Sequence, residues 1–289
     1  MSVVYFSDSC VDLPQSYCKQ HNLRIIPLSY KIGDKEYPDD FGQSISYHDF
    51  YDRLRGGNMS STSQITAYTF ESIFRPILKQ GDDVFYLAFS SALSGTYESA
   101  VHAADTLGKE FPDRKVYVWD SKAASMGQGL MAHYMVRMRD EGKSPEEILD
   151  WLKENTLKFA HWFTVNDLNH LRRGGRVTAT AAFLGTMLNI KPVLHVDDLG
   201  RLIAVEKVKG RARSLKGLVD AVERTAINPA EQTMFISHGD NQADAELVMN
   251  MIKERFGTKD FLLHEIGPVI GSHAGPDTIA LFFLAKSRK

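Results

Sequence analysis

The transition at Val84–Thr96 constrains this chain more than any other stretch. The apolar run Val84-Phe85-Tyr86-Leu87-Ala88-Phe89 leads directly into Ser90-Ser91-Ala92-Leu93-Ser94-Gly95-Thr96, and a helical pattern opens at Tyr97. A strand that ends in hydroxyls and glycine and then opens a helix builds an anion site. The first N–H groups of the helix have no intrahelical partner and carry partial positive charge. Gly95 lets a ligand approach the backbone, while Ser94 and Thr96 add directional donors. Similar punctuation recurs elsewhere. Ser7-Asp8-Ser9 ends the first strand, Thr62-Ser63-Gln64 opens a helical stretch, and Asp120-Ser121 ends a later strand. Near the C-terminus stands Gly267-Pro268-Val269-Ile270-Gly271-Ser272-His273-Ala274-Gly275-Pro276. One such turn alone is most simply a helix N-cap. Several lysine-free ones at one sheet edge point to one small acidic head group, held mainly by hydroxyls and backbone.

The chain of 289 residues exceeds the usual size of one core, so two domains are expected. Its net charge of −2 argues against a general nucleic-acid or membrane-surface binder. No apolar run is long enough for a membrane span, and the N-terminus lacks the features of a signal peptide. Two cysteines, Cys10 and Cys18, read as reduced thiols, so a cytoplasmic location is expected.

Strands are predicted at Val3–Phe6, Leu23–Tyr30, Val84–Phe89 and Val116–Trp119. Helices are predicted near Leu13–His21, Tyr47–Arg55, Thr66–Lys79, Tyr97–Phe111 and Ser125–Glu141. Strands apolar on both faces fit a parallel sheet covered by helices, whose ligands lie beyond the carboxyl ends of the strands. Ser144-Pro145-Glu146-Glu147 opens a further amphipathic helix to about Lys158, where the domain boundary is placed: 1–158 and 159–289. In the second part a hairpin closes at Asp197-Asp198-Leu199-Gly200 between Lys191–Val196 and Arg201–Val208. Helices near Arg213–Ala226 and Gln242–Phe256 and strands near Thr233–Ser237, Phe261–Ile266 and Ile279–Ala285 complete a smaller α+β domain.

Among candidate chemical groups, His273 lies between glycines that shape the backbone for close approach, whereas His170, His195, His238 and His264 default to structural roles. Leu171-Arg172-Arg173-Gly174-Gly175-Arg176 suits a helix C-terminus, whose dipole favours cations. Yet residues 166–217 hold ten Lys and Arg against four Asp and Glu. That excess fits phosphate binding or an acidic partner, and equally a solvated face. The methionine-rich stretch 126–138 and the run 181–188 fit either core or the wall of a hydrocarbon tunnel. Gly127-Gln128-Gly129-Leu130-Met131-Ala132 spells a dinucleotide-binding pattern but does not open directly from its strand. There is no P-loop, no nucleophile elbow, and no cluster that argues a metal site.

Taken together, the motifs resemble the DegV family of bacterial fatty-acid-binding proteins, some of which serve as the FakB subunit of a fatty acid kinase. Phe6–Pro14 is similar to the family's opening T-D-S-x-x-D-L-P, Thr62-Ser63-Gln64 to its T-S-Q, and Ser90–Ala100 to its S-S-x-L-S-G-T-Y-x-S-A. Asp120–Gly129 resembles D-S-x-x-x-S-x-G-x-G, Leu171–Arg176 resembles L-x-x-G-G-R, and the end resembles I-G-P-V-I-G-x-H-x-G-P-G. Ser7 and Asp277 depart from it, standing where the family has Thr and Gly.

The resemblance implies an α/β fold: an N-terminal parallel-sheet domain of the dihydroxyacetone-kinase type, a smaller C-terminal α+β domain, and a fatty acid between them. It implies a palmitate- or oleate-class ligand whose carboxylate meets Thr62, Ser94, Gly95 and His273, with Ser63, Ser121 and Ser272 in support. Arg173, Arg176 and Arg211 fall on the rim facing a phosphate and an ATP-dependent kinase partner that makes acyl phosphate. No cofactor, metal or catalytic residue of its own is implied. A rival reading makes Ser94 and His273 an acyl-transfer or esterase pair with helix N–H groups as oxyanion hole.

Overall fold

The computed structural model describes residues 2–177 and 190–288. The apolar runs of the first half form a parallel four-stranded sheet. Its strands are Val3–Asp8 (β1), Arg24–Ile26 (β2), Asp83–Ala88 (β6) and Val116–Asp120 (β7), in the order β2-β1-β6-β7. Val84 to Ala88 are buried on both faces, as continuous hydrophobicity requires. On one face, Phe70 and Phe74 of helix α3 (Ala67–Lys79) pack on Phe6 and Tyr86. On the other, Tyr5, Phe85 and Tyr117 stack across three adjacent strands beside helix α5 (Met126–Asp140), whose Arg139 lies over the Tyr5 ring.

A second, mixed sheet of six strands closes the other side of α5. Its order is β10-β9-β8-β13-β11-β12, formed by Leu202–Lys209, Ile190–Val196, Phe159–Thr164, Ile279–Leu284, Met234–His238 and Phe261–Glu265. Lying between two sheets, α5 buries Met126, Leu130, Met131, Ala132, Met135 and Val136 completely. The methionine-rich stretch is therefore core. Gly127, read as part of a dinucleotide decoy, lies so close to the His161 ring and Phe282 that no side chain fits there. Helices α8 (Arg211–Thr225) and α9 (Gln242–Phe256) cover the far face of this sheet.

Local signals worked where side chains close their own backbone. Ser144 and Glu147 form the expected capping box at α6 (Pro145–Asn155). At the β9–β10 hairpin, the Asp197 carboxylate accepts from the Leu199 and Arg201 N–H groups. Two readings need correction. Leu23–Tyr30 is not one strand: after β2 the chain turns into Ser29–Ile32 (β3), the centre of an antiparallel sheet with Lys35–Pro38 (β4) and Ser60–Ser63 (β5). Thr62-Ser63-Gln64 consequently ends a strand rather than opening a helix, and α3 starts later, capped by the Thr66 hydroxyl on Thr69 N–H.

The third sheet seats the short helix α10 (Pro268–Ala274), which carries His273. Its N-terminus is held by buried acids of the first half. Asp12 Oδ1 accepts from Gly267 N–H (2.9 Å) and Asp39 Oδ2 from Val269 N–H (3.4 Å). Burial pushes the Asp39 carboxyl up to about 7 and Asp12 well above the usual carboxylate range. The folded chain therefore holds a proton on Asp39 that the unfolded chain, titrating near 3.8, releases. Its contribution falls as pH rises from about 4 to about 7, with a limiting slope of about 1.4 kcal/mol per pH unit. Urea unfolding should show wild type losing stability relative to Asp39→Asn between pH 5 and pH 7. A pH-independent difference would contradict this.

Candidate functional site

Between the parallel sheet and the six-stranded sheet lies a cavity whose empty space, open solvent at its mouth included, is about 970 Å³. Its walls are mostly apolar and come from both sides of residue 158. Leu28, Phe89 and Leu93 face Phe163, Val196, Ala280 and Phe282. Polar groups gather where α10, β5 and the turn before helix α4 (Thr96–Glu110) meet, among them Thr62, Ser63, Gln64, Ser94, Gly95 and His273. Arg176 is the one charged side chain among the described lining residues.

Thr62 Oγ1 and His273 Nε2 are 2.8 Å apart. Burial, reinforced by the positive charge of Arg176, holds the His273 imidazole down to about 4, so the ring is neutral at physiological pH. Its Nδ1 is buried without a hydrogen-bond partner and faces Gly174. A proton on Nε2 then donates to Thr62 Oγ1 and leaves the threonine O–H free to donate into the cavity. Ser94 Oγ stands at the N-terminus of α4, 2.9 Å from Thr96 Oγ1 and accepting from Thr96 N–H (3.3 Å). Arg176 donates through Nε to the Leu93 carbonyl (3.2 Å), which ties it to the same turn. Neutral donors, a helix N-terminus and one cation thus surround the mouth, an arrangement for a single negative charge.

Not every expected residue is here. Ser121 is fully buried, and its hydroxyl accepts from Ala123 N–H at 3.1 Å, away from the cavity. Ser272 donates to the Pro268 carbonyl and pairs with Ser60, tying α10 to β5. Arg211 is engaged elsewhere, on Asp244 (2.7 Å) and the Asp277 carbonyl (2.6 Å). Arg173 lies in an outer depression that shares Thr62, Arg176 and His273 with the cavity. No carboxylate pairs with Arg173 or Arg176 among the described residues. Asp277 has φ of 60°, the left-handed region that explains a family glycine there; its carboxylate accepts from Asn241 and Asn166. The run 181–188 lies outside the described residues.

Ser125 is a lining residue that was not singled out. Its φ of 53° and ψ of −147° are unusual for serine, and its hydroxyl donates to Asp12 Oδ2 at 2.5 Å. It is the second serine of the D-S-x-x-x-S-x-G-x-G segment, so the signal was present. No hydrogen bond joins Ser94 to His273; each pairs with a threonine instead. Among the described residues, Ser94 has no hydrogen bond to a base.

A Cβ on Gly174 would overlap His273 Nδ1. Gly174→Ala should therefore swing the imidazole off Thr62 and weaken ligand retention by about tenfold, one hydrogen bond's worth, with little change in melting temperature. Unchanged retention in a binding titration would show that the ring position does not matter.

The family model described as "Uncharacterised protein, DegV family" matches residues 3–286. A DegV domain-containing protein of Clostridium perfringens is 45% identical over 286 residues, covering 99% of this chain and 98% of its own. Among solved structures, a DegV lipid-binding protein of Thermotoga maritima superposes with a TM-score of 0.86 at 30% identity, covering 100% of both chains. A DegV family protein of Thermus thermophilus, described for its fatty acid binding, gives a TM-score of 0.87 at 30% identity, covering 99% of this chain and 100% of its own. The chain belongs to the DegV family.

Proposed function

We propose that this chain binds a long-chain fatty acid between its two lobes, residues 1–158 and 159–289. The carboxylate meets Thr62, Ser94, the Gly95 backbone and His273, and the protein presents it in the cytoplasm to an ATP-dependent kinase that makes acyl phosphate. One observation carries the reading: an apolar cavity ends at a Thr62–His273 pair whose other side faces a depression lined by Arg173 and Arg176. The acid is held from within, and a phosphoryl group can reach it from without. The fatty acid binding described for the Thermus thermophilus relative supports the first half. Arg173 and Arg176, which no carboxylate among the described residues neutralises, support the second, since a guanidinium suits phosphate oxygens.

The protein itself supplies no phosphoryl donor and no nucleophile. Thr62 and Ser94 orient the carboxylate, and neutral His273 fixes the Thr62 hydroxyl. The kinase transfers the γ-phosphoryl group of ATP to a carboxylate oxygen, a new P–O bond replacing the β–γ bond as ADP leaves, and Arg173 and Arg176 meet the added charge.

Native mass spectrometry of the purified protein should show a long-chain fatty acid bound, or uptake of added palmitate or oleate. Thr62→Val and Ser94→Ala should each lower retention by about two- to tenfold, the worth of a neutral hydrogen bond. A bare protein that takes up neither acid would overturn the reading. Arg173→Glu should keep the lipid yet abolish acyl phosphate formation with a bacterial fatty acid kinase subunit. Undiminished product would remove the delivery role and leave binding alone.

A further inference from the structure

The inner end of the cavity carries a group that a plain hydrocarbon cannot satisfy. His161 lines the cavity and is 1% exposed, and neither of its ring nitrogens has a hydrogen-bond partner among the described residues. Burial, with the charge of Arg288 behind it, holds this imidazole well below its ordinary value. The Phe159 carbonyl weakly opposes that shift without meeting the distance and angle of a hydrogen bond. The ring is therefore neutral, with one N–H and one lone pair, and its Nε2 edge packs against Gly127. Phe282 meets it edge-on, with ring centroids 5.5 Å apart.

Strand register fixes its depth. The Thr278 hydroxyl donates to the Ala274 carbonyl, next to His273 at the mouth. From there Thr278, Ala280 and Phe282 line the cavity in succession along β13, and Phe282 pairs with His161 on β8. Four residues of strand span about 13 Å. An extended chain advances about 1.2 Å per bond, so His161 lies roughly ten to twelve carbons from a carboxylate at His273. The other inner hydroxyl, Ser125, is already engaged by Asp12 and Ser237.

We propose that His161 is a specificity-determining residue that recognises a hydroxyl group on the distal part of the acyl chain, so that the preferred ligand is a hydroxylated long-chain fatty acid. A hydroxyl can donate or accept, so it can pair with a neutral imidazole nitrogen whether that nitrogen carries the proton or the lone pair. An unsubstituted tail would leave that buried nitrogen unsatisfied. This rests on the fatty-acid reading given above and assigns the substrate class of the same site.

The test is competitive loading of the intact protein, read by native mass spectrometry. Wild type offered equimolar stearate and 12-hydroxystearate should load about tenfold more of the hydroxy acid, the size of one neutral hydrogen bond. With 3-hydroxystearate, whose oxygen stays near the mouth, no such preference should appear. His161→Leu should bind stearate at least as well and lose the preference for the 12-hydroxy acid. Equal loading of stearate and 12-hydroxystearate by wild type would overturn the assignment, and that comparison needs no variant. A preference that survives His161→Leu would overturn it too. If none of these acids loads, the fatty-acid reading itself fails and this assignment falls with it.

Discussion

Two buried carboxylates on the first turn of α10 determine how the rest of this molecule is arranged. Asp12 and Asp39 come from the first forty residues, and they cap N–H groups more than two hundred residues away. Tyr51 adds a hydrogen bond to the Ile266 carbonyl just before that helix, at 2.8 Å. These contacts help to fix α10, and with it His273, beside Thr62. The same residues explain the cluster of unusual acids near the N-terminus. They are buried because their partners are orphan donors at a helix start, which carry partial positive charge.

The division of labour inside the cavity follows from magnitudes. Burying a methylene contributes about 0.8 kcal/mol, so a chain of some sixteen carbons offers on the order of 10 kcal/mol before the costs of association. The head-group site therefore need not bind strongly. Under the proposed function it has to choose a carboxylate and hold it in place. Hydroxyls and a neutral imidazole do this without the desolvation penalty of a deep ion pair. Arg176, the one cation among the described lining residues, is tethered through the Leu93 carbonyl. It can meet charge at the mouth without drawing the acid inward.

Much of this was legible in the sequence, for physical reasons. The parallel strands announced themselves by continuous hydrophobicity, and α6 by a capping box written in four residues. Thr62, Ser94, Gly95 and His273 share a cavity because turn chemistry put hydroxyls and glycine at element ends. What escaped was the three-stranded sheet. Its strands are four residues each, and β5 is Ser-Ser-Thr-Ser, polar enough to read as a loop. The Gly33-Asp34 turn between β3 and β4, with φ of 61° at Gly33, was the available hairpin signal. Ser121 and Arg211 looked like site residues by motif, but Ser121 closes its own turn on Ala123, and the partners of Arg211, Asp244 and Asp277, lie too far along the chain for spacing to show. His161 could not be singled out from sequence at all. Only the sheet register sets it opposite Phe282 and into the cavity.

The most direct test of the central claim is a high-resolution crystal structure of the protein purified from lipid-replete cells. The account predicts an alkyl chain in the cavity, with its carboxylate within hydrogen-bonding distance of the Thr62 and Ser94 hydroxyls. A cavity filled by the protein's own side chains, or an acid bound with its carboxylate away from Thr62 and Ser94, would contradict it.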